Sequence, residues 1–163
     1  MYSRIGINSN AIGGYLKETK TMYINSKYDT AEKIKEYVNK TKGYFANSSE
    51  FSPYLHELGH KQYEDALAVY SEKNNISVDK ARYMVENKLM EYVGEKRKND
   101  KNYIINNLSI YANTSYTDHK YFELFAECIS SSNSNECIND ILKIINLKRW
   151  YYDFARWGRN KIV

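Results

Sequence analysis

Residues 51–60 of the chain read Phe51-Ser52-Pro53-Tyr54-Leu55-His56-Glu57-Leu58-Gly59-His60 and contain the pattern His-Glu-x-x-His. Side chains four residues apart lie one above the other on the same face of an α-helix. If this stretch is helical, His56 and His60 direct two imidazole rings at one point. Glu57 lies beside them as a candidate general base. The pattern therefore predicts two histidine ligands for zinc and a carboxylate for acid–base chemistry.

The local sequence favours a helix at this position. Ser52 is a good N-cap residue and Pro53 suits the first helical position, so we expect a helix that runs to about Asn74. Gly59 in its interior costs about 1 kcal/mol relative to alanine. We therefore expect a close neighbour at Gly59, such as a sheet or a second helix.

The composition indicates one globular domain over residues 1–163, with 42% hydrophobic and 27% charged residues. The net charge is +4, and the one dense charged run, residues 95–101, contains no aromatic residue. We interpret that run as a solvated loop and expect no nucleic-acid partner. Cys128 and Cys137 lack the Cys-x-x-Cys spacing of zinc sites, and we expect reduced thiols.

The chain has no segment with the apolar core of a signal peptide, and no apolar run approaches the length of a membrane span. We therefore expect no membrane partner and a cytoplasmic location. A start at Met1 fits a native start and a fragment of a larger protein equally well.

The first 50 residues predict a small sheet and one helix. Gly13-Gly14 is expected to form a turn, and residues 15–25 a β-hairpin whose turn is residues 17–20. Asp29 is expected to cap a helix that ends near Gly43. Residues 44–51 are expected to form a loop. An extended substrate can pair with the edge of such a sheet.

Residues 51–163 predict a helical part that contains the zinc site. After the motif helix we expect a helix over residues 78–96, a polar loop over 97–117, a helix from Asp118 to about 129, and a last helix from Ile138 to Leu147. The aromatic tail, residues 150–157, is expected to close the core or to dock on a partner. The predicted fold class is α+β and mostly helical.

A catalytic zinc ion takes three protein ligands, so the two histidines need a third. The candidates are His119, Glu123, Glu127 and Asp65. Asp65 is on the wrong face of the motif helix, and His119 is at a helix start. Glu123 and Glu127 share one helical face, so one of them can bind the metal while the other holds a ligand histidine by its ring N–H.

The two motifs His-Glu-Leu-Gly-His (56–60) and Glu-Leu-Phe-Ala-Glu (123–127) resemble the anthrax-lethal-factor-like zincins. That group of gluzincins includes Pro-Pro endopeptidases and metallopeptidase domains attached to phage minor head proteins. The resemblance covers about residues 13–130 and implies a zincin-like metallopeptidase domain with bound Zn²⁺. It implies that Glu123 is the third zinc ligand and Glu127 the supporting carboxylate.

In that family a tyrosine upstream of the glutamate ligand stabilises the oxyanion. Tyr116 has the expected separation of seven residues from Glu123, whereas Tyr111 has the better local context in Ser-Ile-Tyr-Ala-Asn-Thr. A match to Tyr111 needs an insertion of about five residues, and both tyrosines remain candidates.

Two functions are compatible with these residues. The first is a zinc metalloendopeptidase, phage- or mobile-element-associated, that acts on a protein or peptide substrate. The second is a phage head or docking module that keeps the fold with little or no peptidase activity. Virion proteins are then partners, and the location is the cytoplasm or the virion.

Overall fold

The computed structural model describes residues 11–146 of the chain. Two short strands are followed by a 3-10 turn over Ser26–Tyr28 and by seven helices. The elements are β1 (Gly13–Leu16), β2 (Thr21–Ile24), α1 (Ala31–Lys40), α2 (Ser52–Asn74), α3 (Val78–Asn99), α4 (Tyr103–Asn107), α5 (Ile110–Thr117), α6 (Tyr121–Ser130) and α7 (Glu136–Ile144). The predicted α+β class, mostly helical with a small antiparallel sheet, is confirmed.

Strands β1 and β2 form the expected hairpin, with Gly13 opposite Ile24 and Leu16 opposite Thr21. The turn between them covers residues 17–20, as predicted. The expectation of a turn at Gly13-Gly14 is wrong, because both glycines belong to β1. A side chain on Gly14 would collide with the ring and hydroxyl of Tyr23, which lies across it. Glycine here accommodates the close approach of the Tyr23 side chain within a strand and does not form a turn.

Helix α1 buries Ile34 and Val38 and is capped one residue later than expected. The Thr30 hydroxyl accepts a hydrogen bond from the backbone N–H of Lys33, so Thr30 and not Asp29 is the N-cap. Asp29 instead accepts a hydrogen bond from the Lys33 ammonium at 2.7 Å. The helix ends at Lys40, a little before the predicted end near Gly43.

Helix α2 begins at Ser52 and ends at Asn74, as the sequence predicts, but Ser52 is not its N-cap. That position is taken by Phe51, and no side chain caps the helix there. Proline in the first turn fits because the N–H it lacks would have no partner inside the helix. The left-handed backbone of Asn75 ends the helix.

The hydrophobic core lies between α2, α3, α6 and α7. Ser77 caps α3, and one face of this helix is buried at four positions, Ala81, Val85, Leu89 and Val93. Tyr63 of α2 stacks on Phe125 of α6, with ring centroids 4.8 Å apart. Cys128 and Cys137 are buried in this core and form no disulfide.

The expectation of an irregular loop over residues 97–117 is wrong. Helix α3 continues to Asn99, and the short helices α4 and α5 occupy most of the remainder. They bury Ile104 and Ala112, so packing stabilises helices that the polar sequence does not suggest. Helix α6 starts at Tyr121, because His119 has a left-handed backbone (φ 59°) that interrupts the helix expected from Asp118.

The last helix, α7, ends at Ile144 within the predicted segment. The predicted aromatic tail, residues 150–157, lies outside the described residues. Between residues 11 and 146, none of the helices combines the length and the apolar character that a bilayer crossing requires.

Candidate metal centre

Three of the predicted site residues meet at one point between α2 and α6. Glu123 Oε2 lies 2.9 Å from His56 Nε2 and 3.2 Å from His60 Nε2. One ligand atom from each of the three residues lies within 4.8 Å of the other two. The cluster of His56, His60 and Glu123 could therefore hold a metal ion.

The close packing of α2 on α6 makes this convergence geometrically feasible. A Cβ atom on Gly59 would lie 2.9 Å from the Cα and 3.0 Å from the carbonyl oxygen of Ala126. The expectation of a close neighbour at Gly59 is confirmed, and the neighbour is a helix backbone. Gly59 lies between the two histidines and Ala126 lies between Glu123 and Glu127, so the contact aligns the two ligand-bearing faces.

Glu127 lies directly behind His56 and is almost completely buried, with 1% of its side chain exposed. Its Oε1 is 3.0 Å from His56 Nδ1. Its Oε2 accepts hydrogen bonds from the backbone N–H of Ala46 at 2.7 Å and from the Ser109 hydroxyl at 2.6 Å. A carboxylate held in this way fixes the His56 ring so that Nε2 faces the cluster.

Ser109 and Ala46 are site residues that the sequence reasoning missed. Ser109 also caps α5, since its hydroxyl accepts a hydrogen bond from the Ala112 N–H at 3.0 Å. The loop that carries Ala46 is held by Asn47, whose side-chain amide donates to the Ser130 carbonyl at 2.7 Å. Serine is a favoured N-cap residue, so Ser109 was a detectable signal for the start of α5, but no local signal links Ser109 or Ala46 to Glu127.

Glu57 lies next to the cluster, with 8% of the residue exposed. A Cβ atom on Gly13 would be 3.6 Å from Glu57 Cγ, so β1 passes close to this side chain. Burial raises the pKa of the Glu57 carboxyl, and the nearby His56 and His60 partly oppose the increase. A carboxylate with a raised pKa is a better proton acceptor than an exposed one.

The ionisable side chains of the cluster shift one another's pKa values. Burial alone would lower the pKa of His56, but its hydrogen bonds with Glu123 and Glu127 outweigh burial and raise that pKa to about 10. Burial would raise the pKa of Glu123, yet its hydrogen bonds with His56 and His60 hold the pKa far below the usual range. The cluster therefore attracts positive charge to its centre.

The structure separates the two candidate tyrosines. The Tyr111 ring lies 5.7 Å from the His56 ring, and its hydroxyl interacts with Glu123. Burial and the Glu123 carboxylate raise the Tyr111 pKa, so the hydroxyl keeps its proton. Tyr116 packs instead against Tyr121 and under the guanidinium of Arg97, away from the cluster. Of these two tyrosines, only Tyr111 lies beside the cluster.

The two other candidates for the third ligand lie outside the cluster. Asp65 forms an ion pair with Lys61 on the outer face of α2. His119 is exposed, and its Nδ1 lies 2.8 Å from the Tyr121 hydroxyl. Neither residue belongs to the group of ligand atoms that converge.

A cavity of about 950 Å³ gives access to the cluster and extends along α2 to either side of it. Its floor is formed by successive α2 residues, namely Ser52, Pro53, His56, Glu57, His60 and Glu64. Strand β1 lines one wall, and α5 and α6 line another. The cluster of His56, His60 and Glu123 therefore lies within an open cleft.

Comparison of the chain with protein-family models, with curated proteins and with solved structures finds no match in any of the three.

Proposed function

We propose that this protein is a zinc-dependent metalloendopeptidase with a zincin-like fold. The observation that carries the proposal is the convergence of His56, His60 and Glu123 beside Glu57 on the floor of an open cleft. Two imidazole nitrogens and one carboxylate oxygen are a donor set that zinc takes in hydrolytic sites, with one position left for water or substrate. Glu127 contacts the other ring nitrogen of His56, as carboxylates commonly do for histidines that bind a metal.

Each reactive group has a distinct role in the proposed reaction. Bound zinc supplies Lewis acidity, which favours ionisation of water and polarises a carbonyl. Glu57 takes the proton from the water that attacks the peptide carbonyl and passes it to the leaving amine. The Tyr111 hydroxyl donates a hydrogen bond to the carbonyl oxygen as negative charge develops there. His56, His60 and Glu123 hold the metal, and Glu127 keeps His56 in the orientation that exposes Nε2.

The cleft also supports a peptide as substrate. The backbone of β1 lines it, and β1 is hydrogen-bonded to a strand on one side only within the described sheet. An extended peptide can add to a free strand edge by main-chain hydrogen bonds, which do not depend on its side chains. Association with a phage or a mobile element is proposed from the sequence resemblance alone.

The first test measures metal content by elemental mass spectrometry on purified protein. We expect about one zinc per chain in the wild type and its loss in His56→Ala and Glu123→Ala. His119→Ala is the matched control, since it removes the other histidine of the chain without touching the cluster, and it should keep the zinc. Absence of zinc from reconstituted wild-type protein would overturn the proposal.

The second test measures turnover of a diverse peptide library by the zinc-loaded protein. Glu57→Gln should keep the zinc and lose cleavage by about 100-fold or more, because it removes the proton acceptor. Wild-type cleavage rates in Glu57→Gln would contradict the mechanism. Zinc binding without turnover of any peptide would favour the alternative, a phage structural module in which the metal only stabilises the fold.

A further inference from the structure

The two ends of the cleft differ in charge. Beyond His60 the lining includes charged residues from three elements, namely Lys17, Glu18, Glu64, Arg82 and Glu86. On the other side of the cluster the lining is uncharged and largely aromatic, with Tyr37, Tyr44, Phe45, Asn47, Pro53 and Tyr111. A peptide that lies along α2 therefore meets a charged end and an aromatic end.

The charged end lies close enough to the metal-binding cluster to contact the same bound peptide. Glu64 follows His60 by one helical turn, which corresponds to about 6 Å along the axis of α2. An extended peptide advances about 3.3 Å per residue. A side chain at this end therefore belongs to a residue about two positions from the bond that lies over the cluster.

One carboxylate at this end is left without a cation of its own. The two terminal nitrogens of Arg82 donate to the two carboxylate oxygens of Glu64 at 3.0 and 2.8 Å, so this pair is mutually satisfied. Glu86, one turn further along α3, is half-buried in the cleft wall. Within residues 11–146, no lysine or arginine nitrogen forms an ion pair with it, and burial raises its pKa despite the charge of Arg82.

A second observation at the same place is the hydroxyl of Tyr63. The side chain is completely buried, and Tyr63 is not among the residues that line the cleft. Its hydroxyl lies close to Glu86 and Arg82, and its interaction with Glu86 lowers the pKa of that carboxyl. Tyr63 therefore favours the charged form of Glu86 from behind the cleft wall.

We propose that the charged end of the cleft binds a lysine or arginine side chain of the peptide substrate, with Glu86 as the carboxylate that receives its charge. Phe122 supplies the apolar surface for the methylene stem, because it lines the cleft beside His60, with ring centroids 5.5 Å apart, and is 38% exposed. The inference rests on the proposed peptidase function and names the substrate class of that site, a peptide with a basic residue on one side of the cleaved bond.

The test compares cleavage of peptides that differ only by lysine or glutamine at one position, scanned across the cleaved bond. At one position, about two residues from the bond, we expect kcat/KM to be about tenfold higher with lysine, as one charge-assisted hydrogen bond would give. Glu86→Gln should bring this ratio close to one, and Glu86→Lys should favour glutamate at the same position. Glu91→Gln, an exposed residue on the same helix, makes the same charge change and should keep the wild-type ratio.

A binding measurement separates failure of this inference from failure of the peptidase proposal. Fluorescence anisotropy would compare the lysine and glutamine peptides on zinc-loaded Glu57→Gln protein, with and without Glu86→Gln. Preferential binding of the lysine peptide that depends on Glu86 supports the inference even if no peptide is cleaved. Cleavage without any preference for lysine overturns the inference and leaves the peptidase proposal intact. Absence of binding to both peptides overturns it as well.

Discussion

Gly59 of α2 and Ala126 of α6 are in backbone contact, and the space between them is too small for a methyl group. A Cβ atom on Gly59 would approach the Ala126 Cα to 2.9 Å, a distance that requires one helix to move. Because the histidines flank Gly59 and the glutamates flank Ala126, any such movement separates the ligands.

Gly59→Ala is therefore expected to destabilise the fold and weaken metal binding. Alanine gains about 1 kcal/mol in helix propensity, but overpacking against a backbone costs about 1–3 kcal/mol, so the net effect is a loss. Urea unfolding measures the free energy, and zinc titration measures the affinity. Gly94→Ala is the matched control, since no atom beyond the nearby backbone of α3 itself lies within 4 Å of its Cβ position, and it should stabilise the protein by about 0.5–1 kcal/mol.

Tyr111→Phe should reduce kcat while zinc content stays constant. The change removes the hydroxyl near Glu123 and keeps the ring that packs against His56. Loss of one oxyanion donor typically lowers kcat by about 100- to 1000-fold. Tyr116→Phe, with its ring between Tyr121 and Arg97, should leave kcat unchanged. Equal effects of the two variants would exclude the role assigned to Tyr111.

Ser109→Ala should lower zinc affinity through Glu127 and His56. The variant deletes the 2.6 Å hydrogen bond to Glu127 Oε2 and leaves the carboxylate less firmly held. Loss of an interaction behind a metal ligand typically weakens metal binding by about 10- to 100-fold. Competition with a chromogenic chelator measures the affinity.

The control for Ser109→Ala is Ser77→Ala, which also removes a serine N-cap. Ser77 caps α3 by accepting from the Lys80 N–H at 3.2 Å and has no contact with the cluster. Both variants should lose about 1 kcal/mol of stability, but only Ser109→Ala should lose zinc affinity. Rescue by Ser109→Thr, which restores a hydroxyl, would tie the effect to the hydrogen bond.

Protein stripped of metal by a chelator should lose stability as the pH rises from about 6.5 to about 10. The pKa of His56 is about 10 in the folded state and 6.5 as the reference value for an unfolded chain. A group whose pKa is raised by folding stabilises the fold fully below 6.5 and loses that contribution as the pH rises through the folded value. Urea unfolding across this range measures the slope. His56→Gln should flatten the slope, and His119→Gln should not.

The sequence predicted the site best where residue types that can bind a metal recur at the spacing of one helical turn. His56 and His60 are four residues apart, and so are Glu123 and Glu127, so spacing alone places each pair on one helical face. Sequence separation could not choose between Tyr111 and Tyr116. They are five residues apart on α5, about 140° around the helix, so they face different surroundings. The choice depends on α5, a helix that its polar sequence does not indicate.

The residues that support the site were not predictable for a different reason. Ala46 contributes only a backbone N–H, which any non-proline residue would supply, and its partner Glu127 is 81 positions away. The choice of Glu86 over the chain's other acidic residues likewise depends on how α3 packs beside the cleft. Helical period identifies which side chains share a face, but not which distant backbone group that face will meet.

The buried carboxylate of Glu127 also bears on synthesis of the chain. Glu123 follows His56 by 67 positions, so a growing chain carries both histidines for roughly 3–13 seconds before the glutamates exist, at about 5–20 residues per second. Over that interval no Glu127 is present to orient His56, and no helix α6 is present to pack on Gly59. The nascent chain therefore offers only a two-histidine site of low affinity, and the complete centre forms after translation has passed residue 127. Under the proposed function, metal capture therefore waits until α6 has been synthesised and packs on α2.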